Sequence, residues 1–384
     1  MAKIKGLIPI ILLSLIPVLL IWTPFLLRFK TFWTIPLPQQ GMATIVANFD
    51  GPLYLAVAKT FYNPEELGSN YQFPLSNEYY SAHFPLFPLL IKLFAHIFGY
   101  PYSMLFVTSV SSIFALYFFY QHAKKYLTKE NAFFLTAIFS FFPARWLIVR
   151  SVGSPEPLFV ALILASTYFF SKKKYLYASI AGFFATMTKS PAVLLFIAYC
   201  LQITIPHLRS FKRIDNKQSL LLRSQKYLPI LLIPLGLLAV FSIYGIRYGD
   251  FFTYFKSGDN IHLFFPPFQI FNYSAPWVGT FWLEEVIFIY TIGVLGLFKL
   301  YQEKMKTYFY FTLVFFASLL FVAHRDLLRY ALPIVPFILI AFRDTLLKKE
   351  FKIAILVIII PIYLYSLAFI SQNVMPIANW TPFL

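Results

Sequence analysis

From Gly6 to Leu27 the chain runs 22 residues without a charged side chain. Crossing the roughly 30 Å apolar core of a bilayer takes about 20 such residues in a helix. Comparable runs recur along the whole sequence. Lipid offers no water to unpaired backbone amides, so chains of this kind are confined to helices or closed barrels. Runs this long specify helices. Composition agrees, with 59% hydrophobic and 12% charged residues, where soluble domains carry about 45–50% and 25%. The expected fold class is therefore all-α: one polytopic helical membrane domain over residues 1–384.

Hydropathy places about eleven transmembrane helices, at 7–27, 102–121, 131–149, 157–170, 175–188, 191–206, 227–245, 285–298, 308–323, 330–342 and 353–370. The N-terminal MAKIK and its apolar run have signal-peptide polarity. The run is long for a signal, however, and Arg28-Phe29-Lys30 follows it, so it reads as an uncleaved first span. A first outer loop, 28–101, holds two amphipathic stretches, starting at Asn48 and at His83. The second reads as an interfacial helix. With this order one side of the membrane collects 21 of the 32 Lys and Arg residues, including the basic loop 207–226. The other collects 10 of the 15 Asp and Glu, six of them on 28–101 and on a second outer loop, 246–283. The positive-inside rule makes the basic side cytoplasmic. The formal charge of +17 is thereby assigned to helix orientation and anionic lipid, not to nucleic acid. The chain is expected in the cell membrane (the endoplasmic reticulum if eukaryotic), with its chemistry on the extracytoplasmic face. Cys200 stands alone, which excludes an intrachain disulfide.

Four constellations carry polar chemistry. Asp50, in Asn48-Phe49-Asp50-Gly51-Pro52, would act as a general base or bind a divalent cation; equally, it would cap the helix that follows. Glu156, in Ser154-Pro155-Glu156-Pro157-Leu158-Phe159, lies at the outer mouth of a span near Arg145 and Arg150, where acids commonly pair structurally. His324-Arg325-Asp326-Leu327-Leu328-Arg329-Tyr330 puts Arg325 and Arg329 four apart, on one face if helical. Guanidinium groups there suit a phosphate, against simple snorkelling at a helix end. Asp250 opens an aromatic loop with Lys256, Asp259 and His262, suited to sugar stacking or to the membrane interface. Lys189 is a further charge in an apolar stretch. Asn272 and Asn379 head glycosylation-like triplets, a pattern common by chance. No zinc-ligand spacing or Gly-rich phosphate loop occurs.

Taken in order, these elements resemble the C-type (GT-C) glycosyltransferases, most closely the mannosyltransferases related to glycosylphosphatidylinositol mannosyltransferase II. Phe49-Asp50 matches a Trp-Asp-like element with Phe in place of Trp. His83-Phe84-Pro85-Leu86-Phe87-Pro88 matches an aromatic-Phe-Pro-Leu-aromatic-Pro element. Ser154 to Phe159, Gly249-Asp250 and His324 to Tyr330 match three more. The resemblance implies transfer of a hexose, mannose above others, from a polyprenyl-phosphate donor to a glycolipid or glycan acceptor, with inversion. It implies Asp50 as the catalytic base and His324, Arg325 and Arg329 on the donor phosphate. Glu156, Lys189 and Asp250 would line the cleft. No Asp-x-Asp stands in the first loop, which leaves metal dependence open.

A secondary transporter or lipid flippase is the main competing reading. It calls for polar residues at mid-membrane, whereas the acids here gather at one interface. A non-catalytic scaffold subunit would need neither a clustered acid nor a phosphate-binding set.

Overall fold

The computed structural model describes residues 7–71, 73–210, 225–272 and 283–384, without the side chains of 206–210 and 259. Most of the basic loop 207–226 and residues 273–282 of the second outer loop, including most of the Asn272 triplet, lie outside the described residues. Among the described residues helices dominate, and the strands are two short segments, Thr31–Phe32 and Ile35–Pro36, paired antiparallel.

Among the described residues, four helices are long and apolar enough to cross a membrane: Ile8–Leu26, Tyr100–Ala123, Leu228–Tyr248 and Lys349–Gln372. At 1.5 Å per residue, 24 residues reach about 36 Å. The straight span expected at 131–149 is instead a bent pair, Lys129–Phe139 and Ala144–Ser151, turned by 73°. Pro143 precedes the second arm and has no amide to continue the first helix's ladder. Leu86–Phe98, Glu156–Ser171 and Tyr175–Thr186 are shorter apolar helices. The span expected at 330–342 is likewise broken, into Leu327–Ala331 and Val335–Ala341, around Pro333 and Pro336. Among the described residues, four helices of full length and apolarity, or five with the bent pair, fall on the eleven expected spans.

The chain forms two compact units. The first comprises 1–161, 240–258 and 343–384. Here Ile8–Leu26 packs against Tyr100–Ala123 and Ala144–Ser151. Fully buried Arg150 ties the last of these to Ile8–Leu26 and to the end of Lys129–Phe139. It donates through Nη1 to the Ser140 carbonyl, and through Nη2 to the Ser14 carbonyl at 2.7 Å and the Ser14 hydroxyl at 3.0 Å. The guanidinium lies over the Trp146 ring. An unpaired buried charge would be severely penalised, so these acceptors let the charge exist there at all. The two stretches expected to be amphipathic differ. Leu86–Phe98 buries Phe87, Pro88 and Ile91 and exposes Leu93 and Ile97. Its 13 residues reach about 20 Å, too short for a bilayer core. Gly51–Thr60 has no such open face: every residue but Lys59 is buried. Hydropathy had marked the right segment and missed that protein covers it all round.

The second unit comprises 162–239 and 259–342. Small residues bring its helices close, as in membrane bundles generally. A side chain on Gly182 would strike Ile233, one on Gly236 would strike Thr186, and one on Gly293 would strike Phe316. The Ser166 hydroxyl donates to the Ala178 carbonyl at 2.7 Å and meets the Tyr199 hydroxyl at 2.7 Å. The segment 262–268 runs beside 320–323. The Ala323 amide donates to the His262 carbonyl (2.9 Å), Phe264 to Phe321 (2.9 Å) and Phe268 to Leu320 (2.7 Å).

Candidate active site

Asp50 sits at the N-cap position of Gly51–Thr60, and its carbonyl accepts the Tyr54 amide at 3.0 Å. Its carboxylate makes no capping hydrogen bond. The capping reading is therefore not what the side chain does. Asp50 is reached through Phe49, whose φ of +49° is uncommon for a residue with a bulky side chain. Such a conformation costs of order 1–3 kcal/mol and persists only where surrounding contacts impose it.

Those contacts come from the end of the last helix. Buried Asn48 donates to the Ile370 carbonyl at 2.7 Å and accepts from the Asn373 amide at 3.2 Å. Asn48 bridges Val374, and the Met375 amide donates to Ala47 at 2.8 Å. The Phe49 ring packs on Phe369 at 5.6 Å, and the Arg145 guanidinium lies 4.0 Å from the centroid of the same Phe369 ring. No local pattern signals this clamp, because the partners of Ala47, Asn48 and Phe49 lie at the far end of the chain, from Phe369 to Met375.

Glu156 opens Glu156–Ser171, where the helix dipole favours an anion. It is buried, and the Ser154 hydroxyl donates to it. Thr108 fixes the same turn, donating to the Ser154 carbonyl at 3.2 Å and accepting the Ser154 amide at 3.3 Å. Met104, one helical turn earlier, lies against both Gly51 and Gly153; it leaves no room for a side chain on Gly153, and the Val46 carbonyl leaves none on Gly51. The Asp50 and Glu156 turns thus share one wall, the N-terminal part of Tyr100–Ala123.

Asp250 belongs to the same unit and organises its own loop. Its carboxylate accepts the Phe252 amide at 2.9 Å and pairs with Lys256 at 2.6 Å. The hydrogen bond from Lys256, with that from Phe252, holds its carboxyl below the ordinary carboxylate value. This loop rests on the segment 81–84. The Tyr244 hydroxyl donates to Ser81 at 2.5 Å, the Ser81 hydroxyl to Thr253 at 3.3 Å, and Phe84 meets Tyr254 at 5.3 Å.

The remaining residues lie in the second unit. Lys189 joins the end of Tyr175–Thr186 to Ser190–Val193 in extended conformation. The helix expected to align Arg325 with Arg329 starts only at Leu327, after Asp326 at its N-cap. Arg325 is exposed and precedes the helix, while Arg329 is half-buried within it. The shared helical face is therefore absent, although both cations flank one turn. Within that turn the Asp326 amide donates to His324 Nδ1 at 2.9 Å. His262, which the sequence groups with the aromatic loop of Asp250 and not with this turn, packs on His324 with ring centroids 4.4 Å apart. Tyr330 sets its ring against both, at 5.8 and 5.2 Å. Among the described residues, no three His, Cys, Asp or Glu side chains are grouped to hold a metal ion.

The architecture is an all-α, polytopic helical membrane fold. The chain is similar to crystal structures of ArnT from Cupriavidus metallidurans. Against ArnT bound to undecaprenyl phosphate, the TM-score is 0.58 at 12% identity, covering 90% of this chain and 62% of that one. Against ArnT in the apo state, it is 0.55 at 13% identity, covering 93% and 63%. This chain thus spans less than two thirds of the ArnT chain, and the likeness is one of fold. No family model and no curated protein matches the sequence.

Proposed function

We propose that this protein is an integral membrane glycosyltransferase using a polyprenyl-phosphate-linked sugar as donor. The observation that carries the reading is Asp50: a carboxylate on a strained, clamped turn that does not serve as its helix's cap. Support comes from the fold likeness to a protein crystallised with undecaprenyl phosphate and from the His324, Arg325 and Arg329 turn.

In this reading the acceptor hydroxyl attacks the sugar's anomeric carbon, and Asp50 takes its proton. The bond from that carbon to the phosphate oxygen breaks, and its electron pair leaves with the polyprenyl phosphate. His324, Arg325 and Arg329 stabilise the charge that grows on the leaving oxygen. Attack opposite the leaving group inverts the anomeric centre. Glu156, Lys189 and Asp250 serve positioning. We take the transferred sugar as a hexose, mannose first, the acceptor as a glycolipid or glycan, and the extracytoplasmic face as the site of transfer.

Purified protein in liposomes, given radiolabelled mannosyl and glucosyl polyprenyl phosphates with a membrane glycolipid extract, tests this directly. Labelled product should form and free polyprenyl phosphate accumulate. Donor translocation across the bilayer without any transfer would replace this reading with that of a flippase.

A further inference from the structure

The pairing of His262 with His324 has no counterpart among the residues that the motif resemblance assigns. It is built by backbone: the Ala323 amide holds the His262 carbonyl, and Leu263 bridges Val322. The two imidazoles are thereby set against each other, their planes tilted by 46°, beside Tyr330, all three half-buried. Because the Asp326 amide donates to His324 Nδ1, the neutral His324 ring carries its proton on Nε2. That turn is then a source of hydrogen-bond donors, with Arg325 and Arg329 adding positive charge against Asp326 alone. Directly after His262 come Leu263, Phe264 and Phe265, exposed by 61%, 47% and 86%. A donor-rich polar turn abutting an exposed apolar strip fits a ligand with an anionic head and a hydrocarbon tail.

We propose that His262 is a phosphate-binding residue acting together with His324, and that the phosphate it takes is lipid-linked, its chain running over Leu263, Phe264 and Phe265. This inference rests on the polyprenyl-phosphate reading above and adds a residue from a different loop to it.

The test is equilibrium binding by the full chain in detergent, with undecaprenyl phosphate, undecaprenol and inorganic phosphate as separate probes. His262→Ala should weaken undecaprenyl phosphate binding about tenfold, within the range of one hydrogen bond to a charged group, and leave undecaprenol unchanged. His262→Gln, which keeps a donor, should recover part of the loss. His262→Ala with His324→Ala should lose less than the product of the single effects, as residues sharing one ligand group do. Unchanged phosphate-lipid binding in His262→Ala, or an equal loss of undecaprenol, overturns the assignment. Inorganic phosphate bound as tightly as the lipid form removes its lipid-linked part. Binding through His262 without sugar transfer would keep this inference and discard the transferase. Transfer with normal donor affinity in His262→Ala would do the reverse.

Discussion

The side-chain amide of Asn373 donates to that of Asn48 over 3.2 Å, joining residues 325 positions apart. With the bond from Asn48 to Ile370, it fastens the end of Lys349–Gln372 to the turn that carries Asp50. Asn373→Ala removes one hydrogen bond, worth about 1 kcal/mol, while Asn48→Leu also strands buried partners and should cost about 2–3 kcal/mol. Thermal unfolding in detergent measures both. Transfer should fall in each variant with donor affinity held, because the clamp positions the carboxylate and not the phosphate. Wild-type turnover in Asn48→Leu would disconnect the clamp from the site.

Asp50→Ala separates the two roles that the sequence left open. Loss of a cap costs about 0.5–2 kcal/mol of stability, whereas loss of a general base costs about 10²–10⁴ in rate. Since the carboxylate makes no cap bond, the variant should melt close to wild type and lose at least a hundredfold in transfer. A large drop in melting temperature with transfer retained would return Asp50 to a structural role.

Gly51 and Gly153 both face Met104, but their obstacles differ in kind. At Gly153 an added Cβ meets only the flexible Met104 side chain, while at Gly51 it also meets the Val46 backbone carbonyl. Gly153→Ala should destabilise by about 1–3 kcal/mol through overpacking, and Met104→Ala in the same chain should restore part of it. Gly51→Ala should not be rescued in this way, because a carbonyl in a short helix cannot withdraw. Equal rescue at both positions, read by unfolding temperature, would remove Met104 from its place between the two turns.

The long apolar runs were legible because lipid demands them. The first, expected at 7–27, is the helix Ile8–Leu26, and the last, expected at 353–370, is Lys349–Gln372. Breaks inside apolar runs were not, since a hydropathy average passes straight through Pro143 or Pro333 while the hydrogen-bond ladder cannot. Nor does hydropathy separate a helix covered by protein from one covered by lipid, hence the misjudged Gly51–Thr60. Asp50 and Glu156 were visible as acids in short motifs. Their supports, Met104 and Asn373, act across distances in the chain that no local pattern encodes.

The ion pair between Asp250 and Lys256, 2.6 Å long, gives a pH signature on the second loop. Lys256 and the Phe252 amide stabilise the charged carboxylate, so the folded Asp250 titrates below its ordinary 3.8. Its contribution is present above that value and is lost as pH falls through the lowered one. Lys256 titrates above its ordinary 10.5, chiefly through the hydrogen bond to Asp250, so its share is present below 10.5 and lost as pH rises beyond it. Lys256→Met should therefore melt lower than wild type by a constant, small margin from about pH 5 to pH 9, closing below about pH 4. Molar salt should shrink the margin, because exposed charges are screened within a few ångströms there. A margin that persists at pH 3 would mean that Lys256 stabilises the loop by packing its stem and not by its charge.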